Sequence, residues 1–451
     1  MSENQEISAK LAGAFGPDFV WGVSTASYQI EGGVNEDGRG KSIWDEFSHT
    51  PGKTLNGDTG DVACDHFHRY GEDFKLMKDL GVDAYRFSIS WPRIQPDGVK
   101  VEPRGLDFYD RLVDSMLENG IEPSATVFHW DSPQALEMNG GWENRDIVGR
   151  FAEYSRLVGE RLSDRVSRWF TLNEMVVFTL LGHGIGIHAP GKALGFDALN
   201  VAWNQLLAHG ESVKALRAAG AKEVGLANNH CEVRPIDDSA EAKSAAELYD
   251  LIYNWVFLDP ILKGEWPLAG FIDPNIQDGD LATISTPIDF LGVNSYNPAF
   301  VGAPAEGDEL PFDLDVFPEG YEKNDFGWPI VPDGFTKMLV GLKERYGNAL
   351  PPIYITENGG AFNEVPGADG RIHDQRRIDY TDAHLGALLD AMNAGVDVRG
   401  YFHWSFMDNF EWAEGYSKRF GLTYLDYETQ QRTPKDSFDW YRRVIASQKN
   451  R

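Results

Sequence analysis

Eight times along this 451-residue chain a short apolar or β-branched segment is followed by loop residues and then by a stretch of helical periodicity. The segments are 19–23, 84–89, 123–128, 168–172, 224–227, 290–293, 353–356 and 400–404. Between the first two, Phe67, Tyr70, Phe74, Met77 and Leu80 recur at spacings of three and four, which is one buried helix face. Stretches 106–117, 151–162, 199–216, 248–257, 335–342, 385–392 and 438–445 serve the later strands less regularly. Strand then helix, eight times, predicts the α/β class and a closed (β/α)₈ barrel, the TIM barrel. Length alone suggests roughly three domains of about 150 residues, yet one barrel with long loops can exceed 400. No Pro/Gly/Ser linker separates two cores, so residues 1–451 read as a single domain. The competing doubly wound sheet would normally bring a Gly-rich strand-to-helix turn, and the chain has neither G-x-G-x-x-G nor a Walker lysine motif.

Charge narrows the partners. With 41 Lys and Arg against 70 Asp and Glu, the formal charge is −29. A surface this anionic argues against nucleic acid and anionic membrane, both of which are met by cations. No run of 18 apolar residues suggests a membrane span. The first residues show neither the charged start, the apolar stretch nor the cleavage site of a secretory signal. Cys64 and Cys231 are too few for a disulfide framework and lack zinc spacing, so reduced thiols in a cytosol are expected.

Barrel enzymes carry their chemistry at the carboxyl ends of strands, so the residues just past each segment are the informative ones. The first strand leads to Gln29 and Glu31, the second contains Arg86, and the third ends in His129-Trp130. The fourth ends in Asn173-Glu174, the sixth in Asn294-Ser295-Tyr296 and the seventh in Glu357-Asn358-Gly359. The eighth ends in Trp404, with Glu411-Trp412 in the loop beyond. Strands four and seven lie three apart in a ring of eight, so Glu174 and Glu357 would face each other across the mouth. Glycosidic bond cleavage wants such a pair, one acid to protonate the leaving oxygen and one carboxylate to attack or to activate water. Trp130, Trp142, Trp328, Trp404 and Trp412 suit sugar rings, whose C–H faces pack on indole. The irregular stretch 301–330 follows the sixth strand and would overhang this face.

These motifs resemble glycoside hydrolase family 1, the β-glucosidase family, over nearly the whole chain. The resemblance is carried by FVWGVSTASYQIEG at the start, YRFSISWPRIQP on the second strand and FHW on the third. It continues in TLNE on the fourth, ITENG on the seventh and FHWSFMDNFEWAEGYSKRFGL on the eighth and its loop. It implies a retaining double displacement with no metal or organic cofactor, acting on a small-molecule β-glycoside; oligomeric state is not legible. Glu174 matches the acid/base and Glu357 the nucleophile. Asn173 matches the residue holding the sugar 2-hydroxyl, and Arg86 and Tyr296 match groups that support the nucleophile, the guanidinium keeping Glu357 ionised. Gln29, His129, Trp130, Asn294, Glu411, Trp412 and Phe420 match the wall that grips the non-reducing sugar, with Trp404 as its floor.

Plainer readings hold elsewhere. Trp169 and Trp440 are expected as core aromatics. His66 and His68 form an H-x-H pair without further ligands, so they are expected to be structural or solvated. His183 and His188, in a Gly-rich loop after the fourth strand, are candidates to touch substrate. The acidic stretch 306–315 reads as a solvated face.

The chain departs from the family where Met175 and Val176 replace the usual Pro and aromatic after the acid/base, and where Ser295 replaces a Tyr. The aglycone side is therefore expected to be aliphatic, built by Met175, Val176, Phe178 and Trp328. Glu411 stands where phospho-glycosidases of the family take a 6-phosphate, and Glu174 is kept where thio-glucosidases lose it. Both point to an unphosphorylated O-linked β-glucoside. β-Galactoside or β-fucoside cleavage, transglycosylation, and a catalytically silent sugar-binding barrel are the alternatives.

Overall fold

A computed structural model describes residues 7–272, 274–307, 310–314 and 316–449. Eight parallel strands close a barrel: β1 (Val20–Ser24), β2 (Ala84–Ser88), β3 (Glu122–Phe128), β4 (Arg168–Asn173), β5 (Glu223–Asn229), β6 (Phe290–Asn294), β7 (Ile353–Asn358) and β8 (Val398–Trp404). Each pairs with its neighbours in sequence, and β1 pairs with β8 to complete the ring. The outer layer is α1 (His66–Leu80), α2 (Pro103–Glu118), α3 (Ile147–Leu162), α4 (Leu199–Ala218), α5 (Ala240–Asp250), α6 (Pro332–Tyr346), α7 (Gln375–Asn393) and α8 (Asp436–Lys449). In α1, Phe67, Phe74, Met77 and Leu80 are buried as their spacing requires, Tyr70 is half-buried, and Gly81 at φ 83° ends the helix.

Ala84, Phe170, Ala227, Phe290, Tyr354 and Phe402 fill the barrel interior, so it is a packed core and not a pore. Arg86 lies over the Phe170 ring, its guanidinium carbon 5.1 Å from the centroid, at the top of that packing. Register sets the site at one height: Ser24 pairs with Trp404 and with Arg86, Asn229 with Asn294, and Asn294 with Glu357. Close approach at Gly359 is obligatory, because a Cβ there would lie 1.9 Å from the Trp404 carbonyl oxygen.

Trp169 and Trp440 are core residues. So is Trp142, which was expected at the sugar site; it is fully buried against Phe128, Phe151 and Phe178. His66 is buried on Asp73 at 2.7 Å, and the exposed His68 pairs with Asp65 and Glu36. In the acidic stretch, Asp308, Glu309 and Asp315 lie outside the described residues, and so do the first six residues. No helix among the described residues is long and apolar enough to cross a membrane.

Candidate active site

A cavity of about 390 Å³ opens at the carboxyl ends of the strands, with Glu174 and Glu357 both in its wall. Glu357 ends β7 and is held on both oxygens. Arg86 Nη1 donates to Oε1 at 2.6 Å, and the Tyr296 hydroxyl donates to Oε2 at 2.6 Å. Burial pushes this carboxyl above its ordinary value, and Arg86, Tyr296 and Asn294 pull it back. The guanidinium therefore opposes burial without cancelling it, a smaller effect than the sequence suggested.

Glu174 follows β4 in the left-handed conformation, φ 46°, which turns the chain sharply from strand to helix. Its Oε1 accepts from the amides of Asn294 at 2.8 Å and Asn229 at 3.0 Å, and no cation touches it among the described residues. Burial, then the charge on Glu357, raise Glu174 to about 8. Two carboxyls of one cavity thus differ in kind: one is fixed by a guanidinium and a phenol, the other by neutral amides that leave it free to hold a proton.

Arg86 links them. Its Nη2 donates to Asn173 Oδ1 at 2.6 Å, which turns the Asn173 amide nitrogen toward His129 Nε2 at 3.0 Å. Asn294, oriented by Thr356 Oγ1 at 2.6 Å, donates to both Asn173 Oδ1 and Glu174. Burial and the Arg86 charge keep His129 neutral, so with Nε2 accepting, its proton sits on Nδ1. That donor has no partner among the described residues. Gln29 Oε1 and Glu411 Oε2 are also buried without partners among the described residues, while Gln29 Nε2 is spent on Asn409 Oδ1 and the Phe410 carbonyl. Orphaned donors and acceptors of this kind are costly unless a ligand supplies the missing bonds. Trp404 lies parallel to His129 with ring centroids 6.0 Å apart, in a cluster with Phe420, Phe326 and Trp328. Trp130, whose indole N–H donates to the Asn173 carbonyl, and Trp412 form the adjoining wall at 4.7 Å. Trp130 (φ 75°) and Trp412 (φ 48°) share the left-handed conformation of Glu174. Such strain costs on the order of 1–3 kcal/mol per residue and clusters where geometry is prescribed by function.

On the far side of Glu174 the structure corrects the sequence reading. Met175, Val176 and Phe178 are buried away from the cavity, and Phe178 packs on Phe128 and Trp142. The cavity wall is made instead by Val177 and Leu181, together with Trp328. The reason is the turn at Glu174: it aims the next two side chains into the layer between barrel and helices and brings out the third. His188 lines the cavity and His183 does not; His183 is buried and His188 half-buried, and desolvation lowers each to about 4. Asn229 and Tyr253 were missed. Asn229 ends β5 two residues beyond the expected segment, and the Tyr253 hydroxyl donates to its Oδ1 at 3.1 Å. The signal was the polar Asn228-Asn229-His230 run at a strand end, of the same kind as Asn173-Glu174.

Relatives carry the same architecture. The glycosyl hydrolase family 1 pattern matches residues 11–450. β-Glucosidase A of Thermotoga maritima is 47% identical over 446 residues, spanning 96% of this chain and 98% of that protein. A bifunctional β-D-glucosidase/β-D-fucosidase of Bifidobacterium breve is 46% identical, over 96% and 98% of the two chains. The solved family 1 β-glucosidase of Thermotoga maritima in complex with isofagomine lactam superposes with a TM-score of 0.91 at 46% identity, covering 96% of this chain and 98% of that one. A closed eight-strand barrel, paired carboxylates at the ends of β4 and β7, and likeness over almost its full length make this chain a member of glycosyl hydrolase family 1.

Proposed function

We propose that the protein is a retaining exo-β-glucosidase that removes unphosphorylated β-linked glucose from the non-reducing end of small glucosides. The observation that carries this is the asymmetry between the two carboxyls, Glu357 clamped by Arg86 and Tyr296, Glu174 raised to about 8 among amides. In the first step a Glu357 oxygen attacks the anomeric carbon while Glu174 gives its proton to the glycosidic oxygen, so the aglycone leaves as a neutral alcohol. In the second, Glu174 takes a proton from water, which displaces Glu357 and restores both groups. Asn173, oriented by Arg86, would hold the 2-hydroxyl; His129 Nδ1–H, Gln29 Oε1 and Glu411 would meet the other hydroxyls over Trp404. Glu411, raised to about 8 by burial and by Glu357 and Glu174, is a carboxyl and not a cation, so it gives a 6-phosphate no positive partner. The name of the Bifidobacterium relative supports β-fucosides as a second substrate. Two buried, unpaired thiols fit the cytosolic setting expected from the sequence.

Direct attack requires carboxyl groups about 5 to 5.5 Å apart, and an intervening water about 6.5 to 9.5 Å. Two successive displacements at the anomeric carbon retain its configuration, so NMR of the first-formed sugar should show the β-anomer; the α-anomer would overturn the mechanism. A panel of aryl β-glycosides compared by kcat/KM should place glucoside first, with fucoside beside it. A chain that binds glucosides without turning them over would be a sugar-binding barrel instead.

A further inference from the structure

A second cavity of about 310 Å³ adjoins the first and is almost wholly apolar. The two share Val177, Leu181, Tyr249 and Tyr253 in their walls, so on that side these side chains stand between the catalytic cavity and the chamber. Their common wall stands beside the acid: Tyr253 bonds Asn229, and Asn229 bonds Glu174. The oxygen that receives the Glu174 proton belongs to the aglycone, so this is the flank on which the aglycone departs.

Two irregular helices shape the chamber. The residues 178–184 and 251–255 are wound as π-helix, a rare form that is frequent at functional sites. They supply Leu180, Leu181 and Gly184 on one side and Ile252 and Tyr253 on the other. Tyr249 stacks on Tyr253 at 5.3 Å and meets the Phe312 edge at 5.2 Å, closing the third side. Leu310, 41% exposed, stands at the lip. Among the described residues of this lining the side-chain polar groups are the hydroxyls of Tyr249 and Tyr253, the latter donating to Asn229. These are too few to replace the hydrogen bonds that the hydroxyls of a second sugar would lose, whereas an alkyl or ring system loses none.

We propose that this chamber is the seat of the aglycone and that it selects long or polycyclic apolar alcohols, so that the preferred substrates are glucosides of such alcohols and not glucose disaccharides. The proposal rests on the β-glucosidase reading above.

The test is a series of n-alkyl β-D-glucosides from methyl to octyl, with cellobiose beside them. Burial of one methylene raises kcat/KM about threefold to fourfold, so the series should climb by about that factor per carbon until the chamber is filled, and octyl glucoside should exceed cellobiose. Ala198→Phe, which fills the chamber, should flatten the climb while methyl glucoside is hydrolysed at the wild-type rate; that rate also reports that the variant has folded. Leu310→Asp, at the lip, should lower the long-chain members about tenfold without changing the short ones. A flat wild-type series, or a climb that survives both variants, overturns the chamber while hydrolysis of methyl glucoside keeps the β-glucosidase reading. Failure to cleave any β-glucoside overturns that reading instead. Sedimentation of wild type and Leu310→Asp settles the remaining occupant: a dimer that Leu310→Asp separates, with the alkyl series flat, makes this face a subunit contact.

Discussion

The two flanks of the catalytic cavity are built on opposite physical plans. The sugar side is a closed polar network in which Arg86, Asn173, Asn294 and His129 fix one another, and beside it His129 Nδ1, Gln29 Oε1 and Glu411 Oε2 have no partner among the described residues. The aglycone side has few directional contacts: aliphatic and aromatic side chains from π-wound loops meet around a chamber of low polarity. Direction is what discriminates hydroxyl positions, since a site that loses one hydrogen bond leaves a buried group unpaired, while apolar contact grades substrates by size and shape. One flank should thus be strict and the other permissive.

The strongest way to break this comparison is at the nucleophile. Glu357→Ala should lower turnover of aryl β-glucosides by several orders of magnitude whatever the aglycone, with the thermal melt retained. Loss that depended on the aglycone would mean Glu357 does not serve the sugar. Glu174→Gln should show the reverse dependence. Glucosides of alkyl alcohols should lose about 10²–10⁴-fold in the first step and those of activated phenols far less, because a phenolate leaves without a proton. Activity needs Glu174 protonated and Glu357 ionised, so wild type should give a bell whose alkaline limb falls as pH rises through the apparent value of the coupled pair. In Glu174→Gln that limb should vanish for activated substrates.

Glu411 sharpens the polar side through stability. Its folded value near 8 lies above the ordinary 4.5, so the native state keeps the proton longer than the unfolded chain and stability declines as pH rises between the two. Glu411→Gln should melt higher than wild type at pH 9 and show no gain at pH 4; an equal gain at both would place the cause outside ionisation. The smallest effect concerns the boundary between the flanks. Leu181→Trp, in the cavity wall, should shift the cellobiose-to-aryl ratio about twofold to tenfold by offering a stacking face. Val176→Trp, fully buried, should leave that ratio unmoved and cost about 1–3 kcal/mol by overpacking, read as a lower melting point.

The same division explains what the sequence disclosed. Every barrel strand was legible because period and β-branching are local, and strand ends point to the site because a parallel barrel permits nothing else. Position drew attention to Glu174, Glu357, Arg86, Tyr296 and Asn294 once the strands were placed, and the resemblance to the family supplied their roles. Asn229 was lost because an apolar-run reading of β5 stops where polar residues begin, and those residues are the strand's functional end. Met175, Val176 and Phe178 were misplaced because side-chain direction after a left-handed residue is set by tertiary packing, and the change to π winding from Phe178 onward defeats any wheel drawn at 3.6 residues per turn. The apolar chamber is assembled from segments near 180, 250 and 310, and no local pattern announces it.

The pairing of Gln29 with Asn409 and Phe410 spans 380 residues and accompanies closure of β1 on β8. On the ribosome, where the amino-terminal part emerges first, the half of the sugar pocket that comes from the start of the chain must wait for almost the whole of the rest. An incomplete chain has an open sheet, Gln29 with no mate and no Trp404 floor. The capacity to hold a sugar is therefore acquired only once the eighth strand and the loop beyond it have been made, and is lost with any truncation that removes them.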